Sequence, residues 1–318
     1  LLPAVRFHLE DSHLKNENLL TEEEIKNHRS QNDGFVSLDY IFEKNFKIQF
    51  ITKDLSFYEK IKDLDLENFV DLMMEQREKI SPFQLLKAEY IEAKKSIKRQ
   101  QSIYWKELLG SLSFTLNYPA KYFSAEDMMR LQKVLMPLIS IIIAYLPQGS
   151  CEELLALHSV GVLDLVNVDE DSEVKTHENG GVTYYYKDED GRDNAIFYKT
   201  FINCVGQPHL NLKDFPFKTL INNHTLSEAK LKFKSAIVGE KMMVTNHKVL
   251  KTENDDYYLK ISGISINDNY QVTDDYGSYN DRIYMMAVPY IGGFNPDYSG
   301  LDFCEQASKR IIESLVKG

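Results

Sequence analysis

Two apolar stretches in the last third of the chain decide the fold, Phe201-Ile-Asn-Cys-Val-Gly-Gln-Pro-His209 and Ile283-Tyr-Met-Met-Ala-Val-Pro-Tyr-Ile-Gly-Gly293. Each is a short apolar run that leads into glycine, which is typical of a strand ending where another backbone or a ligand passes closely. The first stretch extends a strand candidate from Ala195 to Cys204, and Arg282 to Ala287 predicts a second, buried strand. Leu301 to Val316 predicts an amphipathic helix. The chain is therefore expected to close with a strand, a glycine-containing loop and a helix.

Upstream of these stretches the sequence predicts a β-meander. Val162 to Val168 and Val182 to Lys187 are strand candidates that precede the candidate from Ala195 to Cys204. Asp190-Gly191 is a strong signal for a hairpin turn between the last two. Acidic side chains crowd the turns, and their spacing does not match the DxDxDG pattern of a calcium loop, so solvated hairpin tips are expected.

The first half of the chain predicts helices. Ser81-Pro82 combines an N-cap with proline at the first helical position, and the apolar residues that follow predict a helix to about Leu108. Ser124 opens a second long helix, which Pro147-Gln-Gly149 is expected to end. The predicted fold class is therefore α/β (or α+β), with a mostly helical region over residues 1–160 and a β-rich region over residues 161–318.

Charge and composition argue against nucleic acid as a partner and against a membrane segment. The formal net charge of -11 over 318 residues argues against nucleic acid, because a protein that binds a phosphate backbone needs a basic face. The most apolar run, Val134 to Leu146, is shorter than the roughly 20 residues that span a bilayer. No signal peptide is recognisable, and neither the three cysteines nor the histidines have metal-ligand spacing. We expect a cytoplasmic protein with no membrane segment and no metal site.

The two opening stretches resemble the closing strands of flavin-dependent oxidoreductases. In that class a meander ends in a strand of the type D-x-[VI]-I-x-A-T-G, and Thr200-Phe-Ile-Asn-Cys-Val-Gly206 is similar to its tail, with Cys-Val in place of Ala-Thr. Such enzymes commonly close with G-[LI]-Y-x-x-G, a loop and a helix, which Ile283 to Gly293 resembles, with Ala287 at the last glycine. Together with Leu1-Leu-Pro-Ala-Val-Arg6, these motifs look most like bacterial FAD/NAD(P)-binding flavoproteins over roughly residues 150–318 and the first six.

The resemblance implies a cofactor site. It assigns FAD as the cofactor, with NAD(P)H as candidate hydride donor and a small molecule of unidentified class as substrate. The loop before the closing helix carries glycines and a Ser299 N-cap, which suits it to present backbone amides to a carbonyl oxygen, although a plain structural loop is the alternative. The implied cofactor contacts are Gly206, Gln207, Pro289, Gly292, Gly293, Ser299, Gly300 and Leu301.

The chain lacks the GxGxxG turn that holds the pyrophosphate of a dinucleotide at a helix N-terminus. The resemblance therefore implies the C-terminal portion of an FAD-dependent, NAD(P)H-linked oxidoreductase that begins after both glycine fingerprints. Flavin binding by this chain alone is expected to be weak or absent. Its expected partner is the missing N-terminal nucleotide-binding portion or a second copy.

A competing hypothesis is a non-catalytic interaction module, or a degenerate flavoprotein half, that packs against a partner chain. The absent GxGxxG motif and Ala287 favour it. For catalysis, His209 is the one candidate that the sequence offers, because it lies three residues after Gly206, where a strand end would face a cofactor. The alternative for His209 is an exposed turn residue.

Overall fold

The computed structural model describes residues 2–9, 19–166, 168, 171–188, 190–204, 209–291 and 300–317. Helices and small sheets both occur in these ranges, so the chain is an α+β protein. The predicted mixture of helix and sheet is confirmed at this level, whereas a dinucleotide-binding sheet stays a prediction.

Helices make up most of the chain before residue 160. Side-chain caps start several of them: Thr21 and Glu24 form a reciprocal capping box, and the Ser124 hydroxyl accepts a hydrogen bond from the Asp127 N–H at 3.2 Å. The α-helices are α1 (Glu22–Ser30), α2 (Leu38–Asn45), α3 (Phe50–Lys53), α4 (Leu55–Ile61), α5 (Leu66–Glu78), α6 (Pro82–Arg99), α7 (Tyr104–Leu116), α8 (Ala125–Arg130), α9 (Met136–Ile143), α10 (Gln148–Ser159), α11 (Lys218–Asn222), α12 (Ala236–Thr245) and α13 (Gly300–Lys317). The predicted closing helix is confirmed as α13.

The helix predicted from Pro82 to Leu108 is in fact two helices. Proline begins α6 as predicted, but Gln100 adopts a left-handed backbone conformation with φ of 55°, which ends the helix. A new helix, α7, starts at Tyr104. The apolar periodicity continues across the break, which is why the sequence predicted a single helix.

The helix that Ser124 caps is segmented as well. A π-helical turn, Leu131–Leu135, joins α8 to α9, and the run ends at Ile143. Pro147 was expected to end this helix, and instead it directly precedes α10. Its fixed φ suits the start of a helix as well as it suits a stop.

The strands form small sheets. They are β1 (Leu2–Pro3), β2 (Tyr145–Leu146), β3 (Glu173–Thr176), β4 (Val182–Lys187), β5 (Asp193–Tyr198), β6 (Glu228–Lys232), β7 (Val249–Lys251), β8 (Tyr257–Ile264), β9 (Gln271–Thr273) and β10 (Tyr279–Tyr284). The meander β3-β4-β5, the sheet β6-β8-β7 and the pair β9-β10 are antiparallel, and β1 pairs with β2 in parallel. Among the described residues no larger parallel sheet is present.

The meander confirms the predicted strand at Val182 to Lys187 and the Asp190-Gly191 turn. Two other strand predictions fail in part. Residues 163–166 form no regular structure, and β5 stops at Tyr198, so residues 201–204 lie outside any strand. Apolar runs predict a strand only where a neighbouring strand supplies hydrogen-bond partners, and none of the described strands pairs with these segments.

The strand predicted as buried at Arg282 to Ala287 is displaced and exposed. It corresponds to β10, which ends at Tyr284 and pairs with β9 alone, and most of its side chains reach solvent. The hydrophobic core includes residues of the helices before residue 143 and of the sheet β6-β8-β7, and of the predicted strand Met285 belongs to it while Ile283 and Met286 pack against it. Gly239 of α12 packs so closely on that sheet that a Cβ there would lie 2.4 Å from the Cβ of Tyr257.

Candidate functional site

A cleft of about 1050 Å³ lies between the helical part of the chain and its C-terminal part. One wall is the chain around Tyr118 and Lys121, just after α7. The opposite walls are the hairpin tip around Asp268 and the outward side of α13, which carries Arg310. Residues far apart in the sequence therefore meet here.

The helical wall is set by a single turn of 3-10 helix, Ala120–Tyr122. The Tyr122 N–H donates to the Pro119 carbonyl at 2.8 Å, and the Ala120 side chain is fully buried, which fixes the turn against the core. Residues three and four apart project to the same side of a helical turn, so Tyr118, Lys121 and Tyr122 face one region.

The opposite wall is the tip of a hairpin between Ile266 and β9. Asn267 holds this tip: its side-chain oxygen accepts hydrogen bonds from the N–H groups of Asn269 at 2.9 Å and Gln271 at 3.0 Å. Tyr270 takes a left-handed conformation, φ 64°, and its ring lies 6.1 Å from that of Phe303 on α13. The tip is thus rigidly built, and it directs Asp268 at the helical wall.

Three groups from the helical wall converge on the Asp268 carboxylate. The Lys121 ammonium forms an ion pair with Oδ1, and the Tyr122 hydroxyl donates a hydrogen bond to the same oxygen. The Tyr118 hydroxyl lies 3.5 Å from Oδ2, at the outer limit of a hydrogen bond. The side chain of Lys121 is 11% exposed and that of Asp268 is 32% exposed, so the pair is largely but not fully removed from water.

Cations cover the outer faces of the two tyrosine rings. The Arg29 guanidinium lies 3.3 Å from the centroid of the Tyr122 ring, and the Arg310 guanidinium lies 5.1 Å from that of Tyr118. The Lys121 ammonium lies 5.5 Å and 5.9 Å from the centroids of Tyr122 and Tyr118, respectively. Such alternating cations and aromatic faces attract one another. Arg310 is also paired with Glu22 of α1.

Burial perturbs the titration of every member of this cluster. Burial lowers the pKa of Lys121, although the charge of Asp268 opposes that shift. Burial alone would raise the pKa of Asp268, but the Lys121 charge and the hydrogen bonds from Lys121 and Tyr122 outweigh it and hold the pKa below its usual range. Burial and the nearby Asp268 charge raise the pKa of Tyr118 to about 12, and the pKa of Tyr122 is raised further by burial and its hydrogen bond to Asp268.

At neutral pH the cluster therefore holds two neutral phenols and a carboxylate, and that carboxylate favours the ammonium form of Lys121 against the opposing effect of burial. The ammonium and the phenols are hydrogen-bond donors that could supply a proton, and the carboxylate is the acceptor that orients them. Perturbed titratable groups that line a cleft are characteristic of functional sites. We call Tyr118, Lys121, Tyr122 and Asp268 the Lys121 cluster.

The predicted site residues that the structure describes do not belong to the Lys121 cluster. His209 is exposed, belongs to no helix or strand and does not line the cleft. Its neighbour Leu210 donates an N–H hydrogen bond to the Pro289 carbonyl at 2.8 Å, so the structure does bring these two predicted segments together. The predicted contacts Gly206, Gln207, Gly292, Gly293 and Ser299 lie outside the described residues, and Gly300 and Leu301 begin α13.

Of the predicted contacts, Pro289 has described surroundings. Pro289 lies in a 3-10 turn, Val288–Tyr290, that packs on β8 at Gly263, where a Cβ would come within 2.4 Å of the Tyr290 carbonyl oxygen. The Pro289 carbonyl is already hydrogen-bonded. Within the described ranges no group of three or more His, Cys, Asp or Glu residues is arranged to hold a metal ion. No helix in the described part of the chain is long and apolar enough to cross a membrane.

Sequence reasoning missed the Lys121 cluster. Asp268 is 146 residues from Tyr122 and 150 from Tyr118, so no local spacing connects them. A weak local signal exists on each side: Tyr118-Pro-Ala-Lys-Tyr122 places two phenols and an amine on one turn, and Asn267-Asp-Asn269 predicts a tight turn. Only the fold shows that the two turns meet.

Part of the chain matches the model of a known protein family, and the matched part includes three of the four residues of the Lys121 cluster. Residues 21–143, which include Tyr118, Lys121 and Tyr122 but not Asp268, match the model of the YdhS-like middle domain. The chain is also similar to the uncharacterized protein YdhS of Escherichia coli (strain K12), with 24% identity over 174 residues. The match covers 55% of this chain and 32% of that relative, so it spans about a third of the relative's length. No solved structure matches the chain.

Proposed function

We propose that the cleft binds a small-molecule substrate and that the Lys121 cluster donates a proton to it. The observation that carries this proposal is the position of Lys121: its side chain is 11% exposed, it lines the cleft, and it lies between two phenols that stay neutral at physiological pH. Burial of an amine carries a cost in desolvation of its charged form, which a position on the surface would avoid.

Lys121 and Tyr118 are the candidate donors, since both line the cleft. Tyr122 does not line it and acts through Asp268, whose carboxylate it helps to hold in place. Asp268 opposes the effect of burial on Lys121, because its negative charge favours the ammonium form. General acid catalysis by a residue positioned in this way typically raises a reaction rate by a factor of about 10² to 10⁴.

The reaction class that we propose is an FAD-dependent, NAD(P)H-linked oxidoreductase. This assignment is supported by the resemblance of Thr200 to Gly206 and of Ile283 to Gly293 to closing strands of flavoproteins. In such an enzyme the bound flavin supplies the redox chemistry and the protein supplies positioning and proton transfer. The residues of this chain that would serve that second task are Lys121 and Tyr118.

Ligand-observed NMR against a library of small polar molecules tests the cleft. Binding should be present in the unmodified chain and in Lys133→Met, a change of an exposed lysine in the π-helical turn, and it should be lost in Lys121→Met. Equal binding by both variants would rule out Lys121 as a ligand contact.

An absorbance scan from about 300 to 550 nm after incubation with FAD and desalting tests the reaction class, because bound flavin absorbs in that range. Retained bands that bleach on anaerobic addition of NADH or NADPH would support it. Retained bands that neither nucleotide bleaches would contradict the NAD(P)H link.

A second candidate, an interaction module, is favoured by the surface of the meander. Val182 is buried, but none of the described residues between 157 and 204 belongs to the main hydrophobic core cluster. Phe197, Val162 and Ile202 are 55%, 73% and 78% exposed, respectively, and short isolated meanders need a covered face to be stable. Sedimentation velocity over a range of concentrations tests the version with a second copy: self-association should weaken in Ile202→Ser, and a monomer at every concentration would refute it.

A further inference from the structure

The Asp268 carboxylate occupies a pocket that belongs to another part of the chain. The pocket donors, Tyr118, Lys121 and Tyr122, come from one short segment after α7, and the carboxylate enters from the tip of a distant hairpin. An ammonium and two phenols that converge on a carboxylate are the same donors that would bind the carboxylate of a free molecule. The cleft gives such a molecule access to the pocket.

We propose that Tyr118, Lys121 and Tyr122 form a binding site for a ligand carboxylate, and that the Asp268 side chain fills this site until a ligand displaces it. The inference rests on the proposed function of the cleft and names its substrate class: small molecules that carry a carboxylate. Asp268 is then both the resting occupant of the site and the residue that yields to substrate.

The hairpin tip is built so that Asp268 can leave. The Asn267 side-chain oxygen accepts hydrogen bonds from the N–H groups of Asn269 and Gln271 and so holds the turn. The Tyr270 N–H also donates to the Asn267 carbonyl, at 3.2 Å. None of these bonds uses the Asp268 carboxylate. A rotation of the Asp268 side chain therefore vacates the pocket while the backbone stays in place.

The charges around the cleft favour a single carboxylate over a phosphate. Glu22, Asp281 and Glu313 line the cleft together with Lys309 and Arg310, so a monoanion in place of Asp268 keeps the existing charge balance, whereas a dianion adds a second negative charge. The donor geometry fits a planar group with two oxygens, since Lys121 and Tyr122 contact one oxygen of Asp268 and Tyr118 lies near the other. A monoanion with two oxygens preserves these contacts and the charge balance of the pocket.

Rescue of a vacated pocket by acetate tests the inference. Asp268→Ala removes the resident carboxylate, and thermal unfolding is then followed in increasing sodium acetate, with sodium chloride at equal ionic strength as the salt control. We expect a saturable rise of about 2–4 °C in Tm when acetate reaches about ten times its Kd. The same titration should leave the unmodified protein, whose pocket is filled, without a saturable shift.

Two further variants make the result specific. Asp281→Ala removes an exposed carboxylate from the same cleft and should respond as the unmodified protein does. Lys121→Met combined with Asp268→Ala should abolish the acetate effect. An equal response in all variants, or one that survives the loss of Lys121, would overturn the carboxylate site.

Asp268→Ser serves in the same way if Asp268→Ala does not fold. Refolding of either variant by acetate but not by chloride supports the site, and failure of both salts to stabilise either variant refutes it. The assay uses no cofactor and no turnover. Retained flavin that neither NADH nor NADPH reduces, together with acetate rescue, would therefore contradict the proposed oxidoreductase and leave the carboxylate site supported. Reduction of retained flavin without acetate rescue would support the oxidoreductase and contradict the carboxylate site.

Discussion

The ion pair between Lys121 and Asp268 should couple the helical part of the chain to its C-terminal part energetically. Removing one partner of a fully buried pair costs about 3–5 kcal/mol, whereas a fully exposed pair is worth about 0–1 kcal/mol. The exposures of 11% for Lys121 and 32% for Asp268 place this pair between the two limits and nearer the first. We therefore expect Lys121→Met to lower the free energy of unfolding by about 2–3 kcal/mol.

A double-mutant cycle isolates the pair from other effects of each substitution. Asp268→Asn keeps the shape of the side chain and leaves Lys121 without its counterion, so it should cost about 2 kcal/mol. The double variant should be about 1–2 kcal/mol more stable than the sum of the two single effects predicts. Urea unfolding followed by circular dichroism measures all four proteins, and Lys133→Met, on an exposed side chain, should stay within about 0.5 kcal/mol of the unmodified protein.

The pH dependence of the same comparison has a definite sign. Because the pKa of Asp268 is lowered in the folded protein, its stabilisation is complete above the ordinary value of 3.8 and is lost as the pH falls through the folded value. The stability difference between the unmodified protein and Asp268→Asn should hence shrink as the pH falls below 3.8. Strict additivity in the cycle, or a difference that grows in acid, would refute the ion-pair account.

Three other substitutions test a close backbone contact, a helix cap and the titration of Tyr118. Gly263→Ala should cost about 3 kcal/mol, because φ is 117° and the added Cβ would meet a carbonyl oxygen at 2.4 Å, whereas Gly149→Ala, with open space around it, should be neutral or slightly stabilising in chemical unfolding. Glu126→Gln should lower the free energy of unfolding by about 1–2 kcal/mol, because this carboxylate accepts two backbone N–H bonds, of 2.9 and 3.0 Å, at the start of α12. Glu240→Gln, on an exposed face of α12, is the control and should change the free energy of unfolding little. Tyr118→Phe should remove from an ultraviolet titration a phenol that ionises at about pH 12. A raised phenol pKa stabilises the fold only while the phenol is neutral, and this stabilisation is lost as the pH rises from 10 toward 12. Tyr118→Phe should therefore lessen the loss of stability over that range. A titration curve that Tyr118→Phe leaves unchanged would contradict the raised pKa.

Local signals in the sequence predicted individual elements well. The Asp190-Gly191 turn and the strand from Val182 to Lys187 form as expected, because hairpin chemistry and alternation are local properties. The closing helix also forms, as α13, since its amphipathic period is contained within one segment. Ser81-Pro82 and Ser124 mark true helix starts for the same reason, although only the Ser124 side chain makes a cap hydrogen bond.

Features that depend on residues distant in the sequence could not be predicted from local patterns. The apolar residues Val162 and Ile202 predicted strands, yet a strand also needs a neighbour to pair with, and the described chain supplies none. Gln100 ends α6 by adopting a left-handed backbone conformation, which glutamine rarely adopts and which the sequence therefore does not predict. The Lys121 cluster was missed because Asp268 reaches it through the tertiary fold alone.

The Lys121 ammonium itself offers the most direct test of the central claim that its pocket is a carboxylate site filled by Asp268. A hydrogen-bonded, largely buried ammonium exchanges its protons slowly enough to be followed by ¹H–¹⁵N NMR, and Lys121→Met assigns the signal by its disappearance. The account predicts that the signal is present in the unmodified protein, is lost in Asp268→Ala, and returns when acetate is added. A Lys121 signal that persists without Asp268, or that acetate fails to restore, would contradict it.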